Sequence, residues 1–467
     1  MILSSYKNIQ PKKSSNEHQN TENTNCMHSM YNKIDNFEAF ITFPKHWENK
    51  NTEGLANVLD YFNVFFRNEG IVDCYFMDKN NFFSTMIDIL INSHDFEVDI
   101  TDLMNYIISH SPETIDYFLK SDKGNLLIQF LIENISLEHV EKEHLFFWLN
   151  IIYGIMRHKP TMVLVLYDMG LLDKAILLLK SYLIFELKIK KILLLILDNF
   201  LENNINQEKE ITKNIFETYR DILLRYDNKL YIIISSSLEN YIQKNSYSDN
   251  SYFILDSYSL FEIIYRCCEV FANDTSVNLE FSFSFLTYGL FFNDIVLRKK
   301  LIKLINTSFI LDYFHKVLFE TQNYNLFLSI LVLLNNYYTI VDETINEINI
   351  QVVNDISMKI FDEGNIKLKK ELFLFLINIL NYLDINFLID YIHYNFIIEI
   401  FHFLNESDKF YPDFYLFLNK LLQHINEDTN YIEIKNLIFD FLNVKNGKSE
   451  ADENLYVENI LNKYFRL

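Results

Sequence analysis

Apolar, helix-like segments recur along the chain every 42–46 residues, and this recurrence limits the possible folds more than any other feature. The run Leu103-Met104-Asn105-Tyr106-Ile107-Ile108-Ser109 returns 45 residues later as Trp148-Leu149-Asn150-Ile151-Ile152-Tyr153-Gly154. Each copy leads into a further apolar segment and a matching turn, Ser121-Asp122-Lys123-Gly124 and Tyr167-Asp168-Met169-Gly170, whose glycines lie 46 apart. Asn68-Glu69-Gly70 begins an earlier copy of the same turn. Ile196-Leu197-Asp198-Asn199-Phe200 closes another unit, and Leu334-Asn335, Leu380-Asn381 and Leu422-Gln423 close looser ones. Within each segment apolar residues fall three and four apart, the period of a helix. A single unit of two or three such helices cannot bury its apolar face, whereas stacked units can. Stacking explains why stretches such as 187–200 and 368–383 are apolar almost all round.

Glycine and proline usage points the same way. The 467 residues include 8 Gly and 5 Pro, where average usage would give roughly 33 and 23. No two glycines lie closer than sixteen residues. This spacing excludes a P-loop, a G-x-G-x-x-G dinucleotide fingerprint, a kinase glycine loop and a G-x-S-x-G elbow. The chain is expected to be all-α, and 49% hydrophobic residues supply a large core. Three parts are expected: a disordered segment over 1–36, a solenoid over 37–443 that is irregular near 245–252, and a polar tail over 444–467 with a short terminal helix.

The net charge is −22, from 63 acidic and 41 basic residues. A surface of this sign repels phosphates and attracts basic partners, so nucleic acid is not expected as a ligand. Met1-Ile2-Leu3 leads straight into polar residues, and Leu372–Ile377 follows Lys367, Lys369, Lys370 and Glu371. Neither reads as a leader or a membrane span, and the expected location is cytoplasmic, nuclear or both, away from membranes. Cys26, Cys74, Cys267 and Cys268 contain no C-x-x-C pair and read as reduced thiols. No cofactor, metal or small-molecule substrate is expected.

The stretch from about Glu143 to Ser181 resembles the armadillo repeat, most closely as it occurs in importin-α-type nuclear import adaptors. The residues that carry the resemblance are Phe146 to Gly154, then Met169-Gly170-Leu171-Leu172 and Ile176 to Lys180. It implies a right-handed α-solenoid of armadillo-like helical repeats. It also implies that third helices line a concave groove in which an Asn bonds the backbone of an extended peptide. By position that Asn is Asn150, and in the other units Asn105, Asn199, Asn335 and Asn381. The family's Trp, which stacks on cationic stems four residues before the Asn, is replaced by Phe146, Thr101, Leu195, Leu331 and Ile377.

The expected function is that of a non-enzymatic scaffold binding a basic or extended segment of a partner protein in the groove. Its most concrete form is an adaptor for basic nuclear localisation peptides. The alternative is a regulatory or assembly subunit that binds through the convex face or the ends. Other features read as structural. His139 to His144 holds two His at i,i+5, off the i,i+4 zinc spacing, and is expected in a solvated loop. Ser235-Ser236-Ser237 has no His nearby in sequence. Trp148 is expected to pack between repeats, and Phe281, Phe283, Phe285, Tyr288, Phe291 and Phe292 to lie in the core.

Overall fold

The computed structural model describes residues 36–465 apart from short internal stretches, the longest being 246–253, 341–348 and 383–394. Residues 1–35 and 246–252 of the expected disordered and irregular segments lie outside the described residues. Every regular element among the described residues is helical. The chain divides into two compact units, Met1–Asn203 and Asn204–Leu467.

Unit 1 contains α1 (Asn36–Glu48), α2 (Thr52–Arg67), α3 (Cys74–Lys79), α4 (Phe82–Asn92), α5 (Glu97–His110), α6 (Thr114–Lys120), α7 (Gly124–Asn134), α8 (Lys142–His158), α9 (Met162–Asp168), α10 (Leu171–Lys180) and α11 (Leu187–Glu202). Its longest helices stack as a ladder, α2 on α5, α5 on α8 and α8 on α11, while α1, α4 and α7 stack as a second layer. The rungs begin at Thr52, Glu97, Lys142 and Leu187, 45 residues apart each time. The last rung shows why this sequence must stack. Ile189, Ile192, Leu193, Leu194, Ile196, Leu197, Phe200 and Leu201 are all buried, and each is worth about 1.5–3 kcal/mol on full burial. The residues left at the surface or half-buried are Leu187 and Lys190 near the start of the helix, and Lys188, Lys191, Leu195, Asp198 and Glu202. The last five are spaced 3-4-3-4, one narrow stripe of a helix.

Unit 2 contains α12 (Lys209–Leu223), α13 (Asn228–Lys244), α14 (Leu260–Phe271), α15 (Glu280–Leu290), α16 (Ile295–Leu304), α17 (Thr307–Glu320), α18 (Tyr324–Ile340), α19 (Ile350–Glu363), α20 (Ile366–Tyr382), α21 (Asn395–Glu406), α22 (Pro412–Ile425), α23 (Ile432–Lys445) and α24 (Ala451–Tyr464). Its ladder runs α13, α15, α18, α20, α22, α24, and the terminal helix α24 packs as the last rung. These rungs begin at Asn228, Glu280, Tyr324, Ile366, Pro412 and Ala451, so the spacing varies.

Turn chemistry differs from place to place. Gly170 enters α10 in the left-handed conformation, φ +80°, which glycine adopts without steric cost. Gly124 does not. Its role is room, because a Cβ there would stand 2.4 Å from the Leu119 carbonyl oxygen. Asn81 and Ser259 take the left-handed position before α4 and α14. Elsewhere Asn side chains accept from helix N-termini: Asn51 from Gly54, Asn306 from Phe309, Asn323 from Leu326, and Asn365 from Leu368. Each satisfies a donor that the helix leaves open.

Four expectations need correction or refinement. His144 lies in the first turns of α8 and not in a loop; it is half-buried, with Nδ1 3.5 Å from the buried Glu97. Phe283 and Phe285 are core, but Phe281 and Tyr288 are half-buried, Phe291 is 56% exposed, and Phe292 lies outside the described residues. Trp148 is buried edge-on to Phe130 of α7, and its Nε1–H has no hydrogen-bond partner among the described residues. Ser235 and Ser237 are buried; Ser237 shares a hydrogen bond with Tyr219, and Ser235 donates to Ile232 of its own helix.

Candidate functional site

All five groove asparagines lie on ladder helices: Asn105 on α5, Asn150 on α8, Asn199 on α11, Asn335 on α18 and Asn381 on α20. Asn105 and Asn150 share one register, eight residues into their rungs. At the same register α2 carries Asp60 and α11 carries Leu195. Asn199 stands one helical turn farther along, and 8% of it is exposed.

Each of the five amides is already engaged. Asn150 donates to Phe146 O at 3.0 Å and Asn199 to Leu195 O at 2.9 Å, both within their own helix. Asn105 reaches across to the next rung, donating to Phe147 O at 3.2 Å. Asn335 accepts from Asn378 on the following rung. Asn381 donates to Asp413 O at 3.3 Å, and its own carbonyl accepts from Lys420 at 3.1 Å. An amide has two N–H donors and an acceptor oxygen. Among the described residues Asn150 therefore keeps an acceptor and a second donor beyond its intrahelical bond, and it is half-buried.

Carboxylates gather beside this register on the first two rungs. Asp60 of α2 faces Asp99 and Asp102 of α5. Partial burial and then repulsion from Asp60 and Asp102 raise the Asp99 carboxyl above its usual range. Arg67 answers Asp102 at 2.5 Å. A second mixed group spans α8 and α11. Burial raises the Tyr153 hydroxyl, with Arg157 opposing that shift and Asp198 adding to it.

The aromatic position before Asn150 is occupied from within. Lys188 of α11 places its ammonium 5.1 Å from the Phe146 ring centroid, a cation–π distance, and lies 3.3 Å from Glu186. A partner's cationic stem does not find that ring face open. Sequence reasoning missed Asp60, Asp99, Asp102 and Lys188. The signal for Asp60 was present: stepping back 45 residues from Asn105 lands on it. The Lys188 contact depends on side-chain reach between rungs, which spacing does not encode.

Among the described residues no group of three or more His, Cys, Asp or Glu is placed to hold a metal ion, and no helix is long and apolar enough to cross a membrane. Cys267 and Cys268 are buried free thiols, pushed up to about 12 chiefly by burial, which suppresses the nucleophilic thiolate.

No protein-family model matches this chain, and no curated protein matches it. Its backbone is similar to solved structures. An engineered protein superposes with a TM-score of 0.58 at 13% identity, over 91% of this chain and 98% of the other. A structure from work on a conserved phosphorylation switch controlling the interaction between cadherin and β-catenin superposes with a TM-score of 0.51 at 10% identity, over 96% of this chain and 97% of the other. At such identities the likeness is one of fold: the chain is an all-α solenoid of armadillo-like helical repeats.

Proposed function

We propose that the chain is a non-enzymatic scaffold whose unit 1 ladder binds a basic, extended segment of a partner protein along the exposed stripe of α2, α5 and α8. The observation that carries this reading is the group Asp60, Asp99 and Asp102, carboxylates from two rungs of which Asp102 is paired with Arg67. Burial first, and then repulsion from Asp60 and Asp102, raises Asp99; a Lys or Arg side chain entering there offsets the repulsion, so binding and charge relief are coupled. Asn105 and Asn150 supply backbone-directed groups on the same register. In its most concrete form the partner segment is a nuclear localisation peptide and the protein is an importin-α-like adaptor.

The test is fluorescence anisotropy of a labelled Lys- and Arg-rich peptide with the full chain. Asp99→Asn with Asp102→Asn is expected to weaken binding about tenfold or more, and Asn150→Ala with Asn199→Ala by a smaller factor. Unchanged affinity in the carboxylate variant would reject this site. The assembly-subunit reading retains one supporting observation, the exposed apolar side chains Phe291, Ile295 and Val296 of unit 2.

A further inference from the structure

We propose that the cavity between α14, α15 and α16 of unit 2 is a docking site for an acidic segment of a partner protein carrying one bulky apolar side chain. This site is separate from the basic-segment reading, and it gives the assembly-subunit reading a specific chemistry.

The cavity measures about 200 Å³ and is walled by Phe261 of α14, Gly289 of α15, and Leu297, Leu301 and Leu304 of α16. An apolar cavity of about 150 Å³ accepts a benzene ring, so this one takes a Phe or Leu side chain. Gly289 shapes its floor. A Cβ there would stand 2.7 Å from both Leu301 Cδ2 and Phe261 Cε1. Exposed apolar side chains also follow α15 at Phe291 and open α16 at Ile295, the latter 64% exposed.

The rim selects charge. Its acids are matched within the chain, Asp256 by Lys300 at 2.7 Å and Glu262 by Arg266 at 2.5 Å. Lys303 lines the opening, and Lys299 lies one turn before it on α16; both are exposed. The whole of α16, Ile295–Leu304, contains Arg298, Lys299, Lys300 and Lys303 and no acid. In a chain of net charge −22 it is a cationic island, complementary to carboxylates and repellent to basic segments. A side-chain-sized cavity walled by three helices specifies one inserted residue. A bilayer surface has no such residue to insert, so a peptide is favoured over a membrane.

The experiment uses the full chain and a fluorescein-labelled peptide of Asp and Glu with one central Phe, followed by anisotropy. Binding is expected to weaken about tenfold or more when the peptide's Phe becomes Ser. It is expected to weaken by a similar factor in the Lys299→Glu, Lys303→Glu chain, and progressively with added salt. Both lysines are exposed, so circular dichroism should be unchanged in that variant. Asp99→Asn with Asp102→Asn should leave this binding intact, which separates it from the basic-segment site. No binding by the unaltered chain, equal binding of the Ser peptide, or affinity within about twofold after the double charge reversal would each overturn the proposal. So would lysine-dependent binding to phosphatidylserine vesicles in place of the peptide, which would make the occupant a membrane.

Discussion

Unit 1 and unit 2 solve the same stacking problem with different polar chemistry between their repeats. In unit 1 several ties between repeats are ionic: Arg67 to Asp102, Lys123 to Asp88, and Lys159 to Asp116. In unit 2 ion pairs such as Lys300 to Asp256 are accompanied by a set of tyrosine hydroxyls. Tyr231 meets Ser282 and Cys268, Tyr415 donates to Glu453, Tyr464 donates to Asn419 at 2.8 Å, and Tyr265 accepts from the Asn306 amide at 2.9 Å. The spacing differs too, constant in unit 1 and variable in unit 2. The apolar ladder persists in both, because nearest-neighbour packing between repeats is all that a solenoid requires. The polar ties are therefore free to vary, and they set how each unit responds to salt, pH and substitution.

The largest effect is expected from Tyr231→Phe. It removes two buried hydrogen bonds, to Ser282 and to Cys268, at a cost of about 1–3 kcal/mol. Hydrogen exchange should rise across α13 and α15 while unit 1 keeps its protection. Exchange that rises equally in unit 1 would contradict the division. Next come the two turn chemistries. Gly170→Ala forces a Cβ into the left-handed region, although nothing lies within 4 Å of it, so the cost is conformational, about 1–2 kcal/mol. Asn306→Ala removes the α17 cap at about 1 kcal/mol. Thermal melts of the two variants would rank them, and Asn306→Ala costing more would reverse this view. The smallest effect is expected from Arg67→Ala, an exposed pair worth under about 1 kcal/mol. That small loss should vanish in high salt, whereas the loss from Tyr231→Phe should not.

Acid sharpens the contrast within unit 1. Burial alone would raise Asp88, but donors from Lys123 and Trp47 outweigh it and hold the carboxyl below its usual range; the Lys159 hydrogen bond does the same for Asp116. A carboxyl lower in the fold than in the unfolded chain adds stability above the unfolded value and loses it as pH falls through the folded one. Asp99 has the opposite sign: raised in the fold, it takes up its proton first, and its repulsion with Asp60 and Asp102 then fades. Binding of a basic peptide should therefore decline with falling pH before the fold does. Parallel anisotropy and circular dichroism titrations would check this, and coincident transitions would refute it.

The ladder was legible in the sequence because its signal is apolar periodicity repeated at a fixed interval, and α5, α8 and α11 lie where that interval puts them. The turns were legible only where glycine marks them. Asn81 and Ser259 enter helices in the left-handed conformation without any such marker. Asparagine was the least readable residue. Asn51, Asn306, Asn323 and Asn365 cap helices, whereas Asn105 and Asn378 bridge rungs. One residue type thus serves two structural duties besides the peptide-binding role proposed for it, and composition alone does not separate them. Asp60 lay on the same 45-residue register as Asn105, but as a different residue type it is invisible to a search for asparagines.

The equal spacing of α2, α5, α8 and α11 has a consequence for how such a chain changes length. A translational repeat permits in-frame gain or loss of one 45-residue segment, since the flanking rungs meet the same backbone geometry afterwards. Adjacent helices pack about 8–10 Å apart, and an extended peptide advances about 3.3 Å per residue. If the proposed basic segment lies along these rungs, each one gained or lost would lengthen or shorten it in steps of about three residues.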